Sequence, residues 1–145
     1  MESMRPMSTT SDGKGLIPRG FHVHLDCVGY IPPTTDDHSW ILELMREAVR
    51  NSHAREVHAH VVPFDGSVSP PGFAAVVLID ESHITAHCYS DRGLLAIDAF
   101  TCGKTKPENI IDYLLQSLLA EIPTLQVVNR NHTARFLHHY SIESS

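Results

Sequence analysis

The sequence lacks a long apolar run: the longest uninterrupted one, Phe73 to Ile79, falls far short of the roughly 20 residues that a membrane-spanning helix needs. Its N-terminus has no apolar stretch of the kind that forms a secretory leader. Neither membrane insertion nor secretion is expected. Positive charge is also scarce, with 11 Lys and Arg against 17 Asp and Glu and a net charge of −6 with neutral histidine. No basic block marks a nucleic-acid surface, which argues against nucleic acid as a partner. Cysteine is confined to Cys27, Cys88 and Cys102, an odd number without the close pairing of a zinc ribbon or a redox motif. They read as free thiols in a reducing cytoplasm.

The remainder, 145 residues with 42% hydrophobic and 19% charged side chains, has the size and balance of one globular domain with a true core. Residues 1–19 are rich in Ser, Thr, Gly and Pro without hydrophobic periodicity, which predicts a disordered tail ahead of a single domain over 20–145. From Phe21 the pattern alternates, with Phe21, Val23 and Leu25 opposing His22, His24 and Asp26, as in a half-buried strand that Gly29 and Pro32-Pro33 end. Asp36 or Asp37 then caps a helix whose apolar positions, Trp40, Ile41, Leu44, Met45 and Val49, recur at steps of three and four.

Alternation resumes at Arg55 to Val62. A Pro-, Gly- and Ser-rich connection over 63–72 leads into strands at Phe73 to Asp80, His83 to Tyr89 and Leu94 to Phe100. Pro107 opens a second helix with Ile110, Ile111, Leu114, Leu115, Leu118 and Leu119 as its buried stripe. Thr124 to Val128 and Thr133 to Tyr140 are expected as edge strands. This order describes an α+β two-layer sandwich, a largely antiparallel sheet with both helices on one face. The other face is apolar enough around Val76 and Leu78 to suggest a second copy packing sheet to sheet, a homodimer with an αββα arrangement.

Chemistry concentrates in Glu81-Ser82-His83, His87 and Phe100-Thr101-Cys102-Gly103, which bring a hydroxyl, imidazoles and a thiol near strand ends. Taken singly, each has a bland explanation: His87 as a strand histidine satisfied by a carbonyl, Cys102 as a small core hydrophobe. On a straight strand Ser82 and His87 fall on opposite faces, so their joint action calls for a turn or bulge between them. Period two along the Phe73 to Asp80 strand, extended through it, places Ala74 on the face of Val76, Leu78, Asp80 and Ser82.

Together with His22, Asp26-Cys27-Val28-Gly29 and Pro70-Pro71-Gly72, these segments resemble the prokaryotic S-adenosylmethionine decarboxylase proenzymes, over about Gly20 to Leu119. The resemblance implies a pyruvoyl-dependent decarboxylase of polyamine biosynthesis that cleaves itself between Glu81 and Ser82. In that family the serine hydroxyl attacks the preceding carbonyl, the resulting ester is eliminated, and the serine becomes a pyruvoyl group, here derived from Ser82. That group serves as the electron sink for decarboxylation.

By the same resemblance His87 is the acid or base of processing, and Cys102 protonates the decarboxylated carbon, a task for a thiol that keeps its proton at an ordinary pKa of about 8.5. Ala74 stands where the family has a processing serine. Val68 and Tyr89 stand where two aromatic residues hold adenine, and Asp91 stands where the family has a glutamate, so these three are the candidate substrate-binding positions. The expected partners are a small-molecule substrate and a second cleaved protomer. S-adenosylmethionine is the favoured substrate, with ornithine or arginine as the alternative. Two further readings are an unprocessed binding homologue and a metal-binding protein using His22-x-His24 or His58-x-His60. No metal ligand set is assigned from the sequence.

Overall fold

The computed structural model describes residues 15–139. Six strands and two helices follow in the order β1 (Leu16–Val28), α1 (Asp37–Asn51), β2 (Glu56–Phe64), β3 (Gly72–Ile79), β4 (Ser82–Tyr89), β5 (Leu94–Cys102), α2 (Pro107–Glu121) and β6 (Gln126–His139). The strands form one sheet in the order β2-β3-β4-β5-β1-β6, and every neighbouring pair is antiparallel. The expected α+β architecture is therefore present. No helix among the described residues is long and apolar enough to cross a membrane.

Period two sorts the four inner strands, β1, β3, β4 and β5, into a helix-facing and an open row. Val23, Leu25 and Cys27 of β1, Phe73, Ala75, Val77 and Ile79 of β3, Ile84, Ala86 and Cys88 of β4, and Leu95, Ile97 and Ala99 of β5 are buried. They share one core with Ile41, Met45 and Val49 of α1 and Ile110, Ile111, Leu114 and Leu118 of α2. Each large aliphatic side chain buried in this way contributes about 1.5–3 kcal/mol, which fixes the register, because a one-residue slip would turn a whole row outward. The opposite parity leaves the other face of the sheet open.

Local chemistry explains the boundaries. Asp36 is the N-cap of α1 without a side-chain cap bond, because its carboxylate lies 3.2 Å from His38. Asp37 instead accepts a 2.7 Å hydrogen bond from the Tyr30 hydroxyl, tying the end of β1 to the start of the helix. Gly29, at φ +79, passes so close to Thr124 that a Cβ would overlap its carbonyl oxygen. The Thr124 hydroxyl donates to the Gly29 carbonyl at 2.7 Å.

Three expectations need correction. β1 begins at Leu16, inside the stretch assigned to the tail, because it pairs with the far end of β6 from Leu16↔His139 onward; residues 1–14 lie outside the described residues. β2 runs through Pro63 to Phe64, since an edge strand tolerates a residue without an N–H. The two short strands expected near the C-terminus are one strand, whose polar middle, Asn129 to His132, is held by its ladder with β1. Tyr140 lies outside the described residues.

Candidate active site

The β3–β4 hairpin sets the geometry of the site. Ile79 pairs with Ser82, so Asp80 and Glu81 form a two-residue turn, and Glu81 takes up φ +62. A non-glycine residue in that left-handed region carries strain of about 1–2 kcal/mol. The turn is pinned from outside by Arg55, whose Nε and Nη2 donate to Asp80 Oδ2 and Oδ1 at 3.0 and 2.7 Å. The Asp80 N–H also donates to the Arg55 carbonyl at 3.2 Å. This exposed ion pair adds little stability; its effect is to hold the backbone on which Glu81 and Ser82 sit.

Cys102 ends β5 beside that turn and touches both sides of the Glu81–Ser82 peptide. Its N–H donates to Ser82 Oγ at 3.1 Å, and its Sγ–H donates to the Glu81 carbonyl oxygen at 3.5 Å. The carbonyl that the serine would attack thus faces a donor, and the serine oxygen is oriented by a backbone amide. A cavity of about 260 Å³, lined by His53, Arg55, Glu81, Ser82, Thr101 and Cys102 among others, opens at this point.

His87 is not there. β4 pairs without interruption with β3 from Ser82 to Tyr89, so the turn or bulge that would bring Ser82 and His87 together is absent. Ser82 shares the parity of Ile84 and Ala86, whereas His87 is exposed on the open face opposite Ala74. The expectation that Ala74 and Ser82 share a face is also wrong. Period two does not carry through the Asp80–Glu81 turn, and Ser82 takes the helix-facing parity of its partner Ile79.

His87 lies instead in a larger cavity of about 790 Å³ together with Asp26, Phe64, Ala74, Tyr89 and Ala96. Tyr89 presents its ring to the Arg92 guanidinium at 5.6 Å, and Asp91 is exposed on the short 3₁₀ turn that follows. Val68 is 96% exposed and lines a neighbouring depression rather than this cavity. Sequence reading missed Phe64, which lines both; an aromatic residue just before Asp65-Gly66 was the available signal. Reading by residue type also missed Arg55 and Asp80, whose positioning role only tertiary pairing reveals.

Around Phe100 on the open face, His83 and His22 approach at ring distances of 5.7 and 6.1 Å. Phe136, at φ +55, lays its ring 5.6 Å away, and the Arg135 guanidinium sits 5.3 Å over the Phe100 ring. Burial holds the His83 imidazole below its ordinary pKa; His22 and Arg135 act in the same direction and Asp98 opposes them.

A two-layer α+β sandwich whose hairpin turn gathers a serine hydroxyl, a thiol and a left-handed peptide defines the class of an α+β protein with a candidate nucleophilic site at the end of its sheet. Comparison with known proteins narrows this. A family model described as S-adenosylmethionine decarboxylase matches residues 21–131. A protein of Thermococcus gammatolerans named S-adenosylmethionine decarboxylase proenzyme is 30% identical over 112 residues, 77% of this chain and 76% of its own. A Brevibacillus brevis protein of the same name is 35% identical over 103 residues, 70% of this chain and 74% of its own. The crystal structure of the adenosylmethionine decarboxylase of Aquifex aeolicus superposes with a TM-score of 0.59 at 24% identity, covering 84% of this chain and 90% of that one; at that identity it shows the fold. The chain belongs to the S-adenosylmethionine decarboxylase family, whose members depend on a pyruvoyl group formed from a serine by self-cleavage.

Proposed function

We propose that this chain is a self-processing S-adenosylmethionine decarboxylase of polyamine biosynthesis, cleaved between Glu81 and Ser82. The observation that carries the reading is Cys102, hydrogen-bonded at once to Ser82 Oγ and to the Glu81 carbonyl. Ser82 Oγ attacks the Glu81 carbonyl carbon, and the C–N bond breaks to leave an ester. Loss of the Ser82 α-proton expels the Glu81 carboxylate as the new C-terminus, and water then replaces the nitrogen of residue 82, releasing ammonia. The Cys102 thiol faces the oxyanion of the first step, and the left-handed strain at Glu81 is relieved when the peptide bond is lost.

The site fits the resulting cofactor, because one cavity is lined by Glu81, Ser82 and Cys102 together. The pyruvoyl group supplies a sink for the electrons left when carbon dioxide departs. Cys102 holds at Sγ the proton for the carbon so released. His87 serves self-processing from a second protomer, in a homodimer packed open face to open face. Cys102 is of open-face parity, opposite Gly20, so the Glu81 carbonyl that it touches is addressable from that side. Phe64 and Tyr89 line the adenine site, with Asp91 at its rim; Val68 is outside it. The relatives' names favour S-adenosylmethionine over a basic amino acid. The free thiols Cys27, Cys88 and Cys102 suit the cytoplasm.

Intact-mass spectrometry of the purified chain tests this. Two fragments, 1–81 and 82–145 with a ketone at its N-terminus, are expected, and Ser82→Ala should remain whole. A single species of 16.1 kDa after prolonged incubation overturns the reading.

A further inference from the structure

Beyond the cleavage site, the open face carries His22, His24 and Asp98, whose side-chain ligand atoms all lie within 4.8 Å of one another. They come from neighbouring strands. His24 is paired directly with Asp98 across β1 and β5, and His22 stands two residues along on the same face. His-x-His on one strand supplies only two ligands. The third, a carboxylate, lies far off in the sequence and is delivered by sheet pairing, which is why the histidine pair alone assigned nothing. We propose that His22, His24 and Asp98 form a binding site for one divalent transition-metal ion.

Two imidazoles and a carboxylate with a position left open select zinc, cobalt, nickel or ferrous iron over magnesium or calcium, which favour all-oxygen shells. Metal–ligand bonds of about 2.0–2.1 Å in a tetrahedral site place ligand atoms about 3.3 Å apart. The His22 Nε2 to Asp98 Oδ1 separation of 3.0 Å is already of that size, and the His24 ligand atom lies within 4.8 Å of both. Asp98 is held from behind by the Thr85 hydroxyl at 3.3 Å, the kind of outer hydrogen bond that orients a ligating carboxylate. Asn131 Nδ2 lies 3.3 Å from His24 Nε2, marking a ring nitrogen that presents a lone pair.

Arg135 is the opposing group. Its Nη1 lies 3.3 Å from His22 Nδ1, which favours the His22 tautomer with its proton on Nε2, toward Asp98. A metal on Nε2 shifts that proton to Nδ1 and expels the guanidinium. Metal and Arg135 are therefore alternatives at this histidine, and removing Arg135 strengthens binding.

The test uses the full chain, without an affinity tag, stripped with EDTA and titrated with Co²⁺. One equivalent per chain is expected, with ligand-field absorption and no thiolate charge-transfer band. His24→Ala and Asp98→Asn should each weaken binding at least tenfold, while the double change His58→Ala, His60→Ala leaves it intact. Arg135→Ala should tighten binding at least tenfold, the effect of one nearby positive charge on a divalent ion even under water-like screening; loss of fold does not produce such a gain. Absence of saturable uptake, a thiolate band, or uptake that survives both His24→Ala and Asp98→Asn overturns the site. Unchanged or weaker binding in Arg135→Ala overturns the competition.

Discussion

His87 and Ser82 stand five residues apart on one uninterrupted strand, which at about 3.3 Å per residue separates them by roughly 16 Å and places them on opposite faces. A general acid or base works within about 2.6–3.2 Å, or through one water. Processing that depends on His87 must therefore use a histidine from the other protomer. Co-expression of His87→Ala with Ser82→Ala tests this directly. Each variant alone forms dimers that lack one required group at every site. Random pairing places about half of the His87→Ala chains, which keep their serine, beside a partner that supplies His87. Loss of a general acid or base commonly costs about 10²- to 10⁴-fold, or roughly 3–5 kcal/mol of barrier. When the wild type is fully cleaved, His87→Ala alone should thus be nearly whole, and the mixture should plateau with about half of its serine-bearing chains cut. Intact-mass spectrometry separates the species by mass, and native mass spectrometry verifies that mixed dimers formed. Verified mixed dimers without cleavage, or cleavage of His87→Ala alone at the wild-type rate, refute the reasoning.

Ala74→Ser places a hydroxyl directly opposite His87 and should speed chain cleavage by about tenfold to a hundredfold, the effect of one charge-assisted hydrogen bond to an oxyanion. In the mixed dimer it should do so only when carried by the chain that supplies His87, and a time course of fragment appearance decides. Phe64→Ala or Tyr89→Ala should raise KM for S-adenosylmethionine about two- to tenfold through loss of one stacking surface, whereas Val68→Ala should leave it unchanged; steady-state carbon dioxide release is the measurement. His83 is held below its ordinary pKa of 6.5, so as the pH falls past that value the unfolded chain takes up the proton first and stability declines. In the uncleavable Ser82→Ala background, His83→Gln should flatten the fall in Tm between about pH 7 and pH 5, and an unchanged slope would place the acid sensitivity elsewhere.

Much of the fold was legible because burial imposes a period. The rows Val23-Leu25 and Ile110-Leu114-Leu118 could be read from hydrophobicity alone, since each has one face in the core and one outside it. The sequence was less informative where pairing rather than burial decides. Leu16 to Arg19 and Asn129 to His132 have no apolar period, yet they are strand because the first lies along the far end of β6, Leu16 to Pro18 pairing with Leu137 to His139, and the second pairs with Val23 to Asp26 of β1. The site divided in the same way. Ser82 and Cys102 were recognisable as chemical groups and do meet, but the third ligand-bearing residue near His22 and His24, and the arginine that braces the hairpin, come from remote segments that sheet order alone brings together.

The misplaced Ala74 shows why the chemistry sits where it does. A residue in mid-strand has its carbonyl committed to the ladder, and alternation predicts its face reliably. Glu81 lies instead in a two-residue turn, where alternation is reset and its carbonyl turns toward Cys102. In the proposed cleavage, the interruption that defeats the sequence pattern also leaves the Glu81 carbonyl free for attack. A regular strand through residues 80–82 would restore the predicted faces and remove the reactive geometry. Glu81→Gly probes the same point, because glycine adopts positive φ without steric cost. In the Ser82→Ala background the gain from relieved strain, about 1–2 kcal/mol, is offset by the extra freedom of glycine in the unfolded chain, about 0.4–1 kcal/mol, leaving a small net stabilisation. With Ser82 intact, cleavage should slow, since the relaxed turn has less strain to release on the way to the ester. Faster cleavage, or a clear fall in Tm, would show that the left-handed turn at Glu81 is not a source of reactivity.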